Sequence, residues 1–301
     1  MLGPTTHVNS QAPIATALWH PLGVSGSCLV TVTADAVVRV WELNRENRWS
    51  FESPTLAINL IKLADGVSAD DDFGPPKPSM RKGFSPDSIE MEVAAACFGG
   101  SGLNEEHGWA SMTLWVAMKE GGIYALCPLL PTKWQPPPTL VPSLSTSVVS
   151  KTASLQDDVS VSAEDRRNCD RQYQWFSEID TQDPIIVAGD SAFTPAVEIY
   201  NRPSHRGPIP KLQGPFEIEP NEIGDDLELT DIHVIAAKTD TEELMLDEDE
   251  ESDWGELDQD GLSVAVVCLL TKSGRIHICL DLDGVEGKWL PNKKVSVDCI
   301  Q

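Results

Sequence analysis

Gly189, Asp190 and Ser191 stand in the order that flanks an activated serine nucleophile, and residues 99–102 (GGSG) have the glycine density of a phosphate-cradling loop. A nucleophilic serine on a sharp elbow needs a Gly-x-Ser-x-Gly frame, so that the backbone can turn tightly on both sides of it. Ala192 and Phe193 follow the serine instead, so the triplet reads as a turn between strands. A phosphate loop needs a lysine followed by Ser or Thr beyond its glycines, to reach the phosphates and Mg2+. Residues 103–108 (LNEEHG) supply neither, and the glycines read as a hinge between strands. His20, His233 and His277 could each ligate a metal, but none has a second histidine or an acid at ligand spacing, and structural roles are expected. Acids are plentiful without any pattern that selects a catalytic pair. No catalytic, cofactor-binding or metal-binding residue is assigned, no cofactor is expected, and the chain is not expected to be an enzyme.

The seven cysteines (Cys28, Cys97, Cys127, Cys169, Cys268, Cys279, Cys299) are odd in number, and most lie in apolar stretches. Disulfide frameworks belong to short secreted chains and metal sites to tight spacings, so buried reduced thiols are expected. No apolar run approaches the ~18 residues of a membrane span, and no basic segment leads into an apolar one at the N-terminus. A soluble, non-secreted protein without membrane insertion is expected.

Formal net charge is −25. Residues 240–260 (DTEELMLDEDEESDWGELDQD) hold twelve acids and no Lys or Arg. Such a block repels itself and reads as a solvated loop. Leu244, Met245, Leu246 and Trp254 within it keep open a second reading, a docking strip for a basic partner. Sequence-independent nucleic-acid binding needs cations against phosphates, and no basic cluster here exceeds a pair, so direct nucleic-acid binding is excluded.

The elements that must position these residues follow a repeated phrase of strand, turn and strand. It is clearest at residues 28–43 (CLVTVTADAVVRVWEL) and returns at 112–129, 184–200 and 264–282. Each first strand is nearly continuously apolar, as a strand buried on both faces should be, and turn residues bound each second strand. The turn markers Asp35, Gly121, Ser191 and Gly274 are spaced far beyond the ~40–45 residues of a compact WD blade. The fold class is therefore all-β: an irregular, incomplete WD-like β-propeller with long loop insertions and one helical insertion.

Residues 1–13 read as a frayed lead, and 14–301 as a partial β-propeller with a Pro-rich and helical insertion at 128–182 and an acidic loop at 240–260. Within it, 15–23, 49–64, 89–98, 109–118 and 227–238 are expected as strands, and 65–87 as a long loop. Residues 128–142 are too rich in proline for regular structure, and 202–220 read as a Pro and Gly loop. Residues 162–179 are expected as the helix, with Ser162 and Asp165 suiting an N-terminal cap and Cys169, Tyr173, Phe176 and Ile179 forming its apolar stripe. That helix is read as a surface decoration on the propeller, or as a partner-binding element. A new strand is expected from residue 295 (VSVDCI).

Residues 17–23 (ALWHPLG), 29–43 (LVTVTADAVVRVWEL), 72–76 (DFGPP) and 113–131 (TLWVAMKEGGIYALCPLLP) occur in an order that resembles the N-terminal β-propeller of the nucleoporin 82/88 family, in its filamentous-fungal form. The likeness continues through 172–183 (QYQWFSEIDTQD). The resemblance implies a scaffold at the cytoplasmic face of the nuclear pore complex. It further implies docking of an FG nucleoporin's autoproteolytic C-terminal domain and of a helical tail from a second nucleoporin, in support of mRNA export and nucleocytoplasmic transport. The chain departs from the family pattern in lacking a heptad segment and in having room for about half of a seven-bladed propeller, so a fragment is expected. The resemblance places no contact residue on these positions. Phe73 with Gly74 and Phe98 with Gly99 are isolated pairs, not FG repeats. The other readings are a generic WD-type adaptor in another assembly and, third, a propeller hydrolase.

Overall fold

The computed structural model describes residues 2–10, 12–66, 74, 91–100, 108–157, 161–187, 196–216, 228–238, 263–281 and 284–290. In chain order its elements begin with α1 (Pro4–Ser10), β1 (Ile14–Trp19), β2 (Cys28–Thr33), β3 (Val37–Glu42), β4 (Leu56–Asn59), α2 (Leu60–Asp65), β5 (Val93–Phe98), β6 (Leu114–Met118) and β7 (Ile123–Leu126). They continue with β8 (Lys133–Trp134), α3 (Leu140–Asp157), α4 (Ala163–Asp180), β9 (Ile185–Val187), β10 (Val197–Asn201), β11 (Leu212–Phe216), β12 (Leu229–Lys238), β13 (Ser263–Thr271) and β14 (Ile276–Asp281). The strands form four antiparallel sheets, ordered β1-β2-β3-β4, β11-β7-β6-β5, β8-β10-β9 and β12-β13-β14. All four repeated phrases form antiparallel pairs, one in each sheet.

Two of these hairpins close with the same chemistry. Thr33 faces Val37 across a three-residue loop whose last member, Ala36, is left-handed at φ 59°. Thr271 likewise leads through Lys272, Ser273 and Gly274, at φ 81°, to Arg275. A type I turn followed by a left-handed residue is the common three-residue hairpin solution, and glycine occupies that position without a Cβ penalty. In both turns the threonine hydroxyl bonds the side chain two residues on, Asp35 or Ser273, and the carbonyl four residues on, Val37 or Arg275. Both threonines are buried, so these bonds satisfy hydroxyls that water does not reach. In the first sheet the Trp41 indole Nε1 also donates to Thr31 Oγ1 at 3.0 Å, tying β3 to β2 through their side chains.

Continuous apolarity in β6 has a direct cause. Side chains alternate across a sheet; Leu114, Val116 and Met118 enter one core with Val30, Val32, Val38 and Val40 of the first sheet. Trp115 and Ala117 enter a second core with Ile232, Val234, Val267 and Leu269 of the fourth. The second sheet is thus packed face to face between the first and the fourth, as blades stack in a propeller. Each large side chain buried this way contributes roughly 1.5–3 kcal/mol. Hydrogen bonds pin the joint between the first two sheets: Ala96 N to Thr16 Oγ1 at 3.1 Å and Val93 N to Ala34 O at 3.0 Å.

The helical insertion is a hairpin of two long helices. α4 starts where its cap places it, with Asp165 N donating to Ser162 Oγ at 3.1 Å. Cys169, Phe176 and Ile179 are buried as expected, but Tyr173 is exposed, and Gln172 and Trp175 take the inner face. Trp175 stacks between Trp109 (centroids 5.4 Å apart) and Trp289 (5.6 Å), and Gln172 Nε2 donates to Gly287 O at 3.0 Å. The helix therefore belongs to the main core and is not a surface decoration. α3 was not expected, because its Ser, Thr and Val content has weak helix propensity. Leu140, Leu144 and Val148 recur every fourth residue on its buried side, and Leu144 lies so close to Gly108 that a Cβ there would sit 2.8 Å from it. Only glycine admits that approach.

Other local expectations are corrected. Residues 49–64 are not one strand: a 3-10 turn (Arg48–Phe51), β4 and α2 share them, because the Asn59 side chain accepts from Lys62 N at 2.9 Å and caps a helix. The proline-rich 128–142 contains β8 and the start of α3, where Pro142 falls in the first turn and no intrahelical N–H is lost. Residues 202–220 contain β11, which returns to complete the second sheet. Pro4–Ser10 form α1, whose His7 ring packs against Trp41 at 5.5 Å. The acidic residues 240–260, the triplet 189–191, Cys299 and the strand expected from residue 295 lie outside the described residues.

Candidate interaction surfaces

Among the described residues no group of three His, Cys, Asp or Glu side chains is gathered for a metal, and no helix is long and apolar enough to cross a membrane. Gly99 sits where a Cβ would meet Ala110 O at 2.5 Å; its role is close backbone packing between β5 and the turn before β6. Cys28, Cys97, Cys127 and Cys169 are buried, while Cys268 and Cys279 are half-buried, all as free thiols. Burial pushes the Cys28 and Cys97 thiols up to about 12 and raises those of Cys127 and Cys279, which makes them poor nucleophiles at neutral pH.

His20 is a joint between sheets. Its Nε2–H donates to Leu129 O at 2.9 Å, and its Nδ1 accepts from Leu22 N at 3.1 Å, so the neutral ring uses both nitrogens. Burial lowers its pKa to about 4, against smaller raising effects from the Leu129 bond and the Glu42 charge. His233 is exposed and His277 half-buried, both on the fourth sheet.

Among the described residues two surfaces expose several large apolar side chains. The outer face of the fourth sheet carries Ile276 (66% exposed), Ile278 (69%) and Leu280 (61%) along the edge strand β14, beside Leu270 and Ile235. Among the described residues β14 is an edge strand, and an apolar sheet face at such an edge favours association. The second is an open groove of about 1010 Å3 at one end of the first sheet. Its walls are Trp19 (61% exposed), where β1 ends, and Trp49 (78%), on the 3-10 turn after β3; Cys28, Leu43 and Phe51 also line it. Sequence reasoning did not select these residues. The signal available was Trp49 amid polar neighbours, but Trp19, its counterpart across the groove, stands in an apolar strand thirty residues earlier in the chain.

The helical hairpin offers less. Its inner face is committed to the Trp109, Trp175 and Trp289 stack, and Lys151 pairs with Glu286. Glu178 accepts from Ser204 N at 2.8 Å and His205 N at 3.0 Å, fixing the loop that follows β10.

Comparison with known proteins matches this architecture. The Nucleoporin NUP82 beta-propeller family model matches residues 1–300. Nucleoporin NUP82 of Chaetomium thermophilum is 52% identical over 294 residues, covering 96% of this chain and 33% of that protein. Nucleoporin nup82 of Schizosaccharomyces pombe is 22% identical over 233 residues, covering 73% of this chain and 25% of that protein. The chain thus spans about a third or less of the curated relatives it matches. Among solved structures, the heterotrimeric Chaetomium thermophilum Nup82 NTD-Nup159 TAIL-Nup145N APD complex matches with a TM-score of 0.81 and 49% identity, over 97% of this chain and 51% of that one. The yeast Nup82-Nup159-Nup116 complex matches with a TM-score of 0.55 at 17% identity, over 92% and 48%, a likeness of fold alone. The stacked antiparallel sheets, the blade-ending hairpins and this match along residues 1–300 place the chain in the Nucleoporin NUP82 beta-propeller family.

Proposed function

We propose that this chain is a non-catalytic scaffold segment at the cytoplasmic face of the nuclear pore complex, docking other nucleoporins and supporting mRNA export and nucleocytoplasmic transport. The observation that carries the reading is the 49% identical likeness to a Nup82 N-terminal domain crystallised with the Nup159 tail and the Nup145N APD. The partners proposed here are the counterparts of those two, a helical tail and an autoproteolytic domain. Residues 14–301 act as the partial propeller, with 128–182 as its insertion and 240–260 as an acidic loop. Propellers without catalytic clusters work through faces, rims and edges, and the exposed face of the fourth sheet is such a surface.

The test is reconstitution. The chain is mixed with the Nup159-type tail and the Nup145N-type domain of its own organism and run by size exclusion with light scattering. Co-elution of a stoichiometric complex supports the scaffold reading, and separate elution of all components at micromolar concentration overturns it for this chain. A generic adaptor in another assembly would bind neither protein.

A further inference from the structure

The groove between Trp19 and Trp49 is held open by its own hydrogen bonds. Asn47 Oδ1 accepts from Trp49 N at 3.1 Å, Asn44 Oδ1 accepts from Glu46 N at 2.9 Å, and Ser50 Oγ donates to Asn47 O at 2.7 Å. Ser50 Oγ also accepts from Asn44 N at 2.9 Å, closing the turn on itself. This network fixes the turn backbone that carries Trp49, whose indole is 78% exposed. Across the groove, Ser25 N donates to Gln135 Oε1 at 3.2 Å, anchoring the wall around Gly26 to the segment that follows β8. Two indoles exposed on one concavity leave a large apolar area wet, which a monomer gains nothing by keeping. A preorganised pocket of this kind lowers the ordering cost of binding.

The charge of the groove decides what fits it. Its lining holds one acid, Glu42, and two cations, Arg45 and Lys133. Glu42 Oε1 accepts from Thr132 N at 2.9 Å and Thr132 Oγ1 at 2.8 Å, which turns the carboxylate toward the adjacent loop while it keeps its charge, so the lining carries one positive charge in excess. Arg45 and Lys133 are exposed, and neither has an ion-pair partner among the described residues. In a chain of net charge −25 this is a local positive patch with an apolar centre. A second copy of the chain fits badly, because an isologous contact sets the same cations against each other and brings two strongly acidic molecules together. We propose that the groove docks a short peptide segment of a partner protein, one that places a large apolar side chain between the two indoles and flanks it with acidic residues against Arg45 and Lys133. This site is on the first sheet, and the proposal does not rest on the scaffold reading.

The experiment is fluorescence anisotropy on the full chain, with a fluorescein-labelled probe peptide in which two phenylalanines lie between glutamates and a control in which lysines replace the glutamates. The expected result is saturable binding of the acidic probe, weakened about tenfold or more by W49S and by R45E. W49F should restore most of the affinity, and the lysine probe should not bind. Both tryptophan variants lie on the exposed turn, and their unchanged melting temperature serves as the folding control. Absence of binding, equal binding by W49S or R45E, or equal binding of the lysine probe overturns the proposal. A concentration-dependent dimer by light scattering that W49S abolishes also overturns it, by making the groove a self-interface.

Discussion

His20 Nε2 lies 2.9 Å from Leu129 O, and that bond ties the end of the first sheet to the segment that follows β7 of the second. The ring is buried and neutral, with Leu22 N donating to its other nitrogen. A proton on Nδ1 would face that donor and have no acceptor. Burial lowers the folded pKa to about 4 from an ordinary value of 6.5. The unfolded chain therefore binds the proton first as pH falls, so stability present above pH 6.5 is lost between pH 6.5 and 4. The shift corresponds to ~3 kcal/mol. Urea denaturation across that window should show the loss in the native chain, and H20N should flatten the His20 share of it. An equal pH slope in the variant would contradict the assignment.

The Trp41 to Thr31 bond supports the blade ending from within. T31V keeps the volume of the side chain and leaves the buried indole N–H without its acceptor. A loss of ~1–3 kcal/mol in unfolding free energy is expected, measured by urea titration. An unchanged midpoint would show that the indole finds another partner.

The helical hairpin is a structural part of the core. W175A removes the middle ring of the Trp109, Trp175 and Trp289 stack and should cost ~3–5 kcal/mol. Y173A, on the exposed side of the same helix at 48% exposure, should stay within ~0.5 kcal/mol. Calorimetric melting of both variants separates a core element from a decoration, since equal small effects would indicate the latter.

The outer face of β14 should drive self-association of the 301-residue chain. Ile276, Ile278 and Leu280 lie exposed on β14, an edge strand among the described residues, and I278K places a charge in the middle of them. Light scattering at rising concentration should show assembly of the native chain and less of it in I278K, with melting temperature unchanged. A monodisperse native chain would contradict the expectation.

The blade-ending hairpins were legible in the sequence because their signals are local. Residues 28–33 and 37–42 alternate or run apolar at strand period, with turn residues between them, and 114–118 are apolar throughout because two different cores take their alternate side chains. The cap of α4 was legible for the same reason. α3 was not, since its buried Leu140, Leu144 and Val148 stand among Ser and Thr, and its helicity comes from packing on Gly108 and α4. The 49–64 segment misled because a short apolar run fits a strand or a helix equally well until Asn59 caps it. The groove was illegible for a topological reason: Trp19, Trp49 and Lys133 come from three separate segments, which sheet pairing and long-range bonds such as Gln135 N to Leu22 O at 2.9 Å and Thr132 N to Glu42 Oε1 at 2.9 Å bring into one surface.

The central claim, a scaffold that docks other nucleoporins, is tested most directly by affinity purification with mass spectrometry from cells carrying a tag at the endogenous locus. The account predicts recovery of FG nucleoporins and coiled-coil pore components, including counterparts of Nup159 and Nup145N. Recovery of an unrelated assembly without nucleoporins would contradict it, leaving the propeller fold in place and the scaffold role wrong.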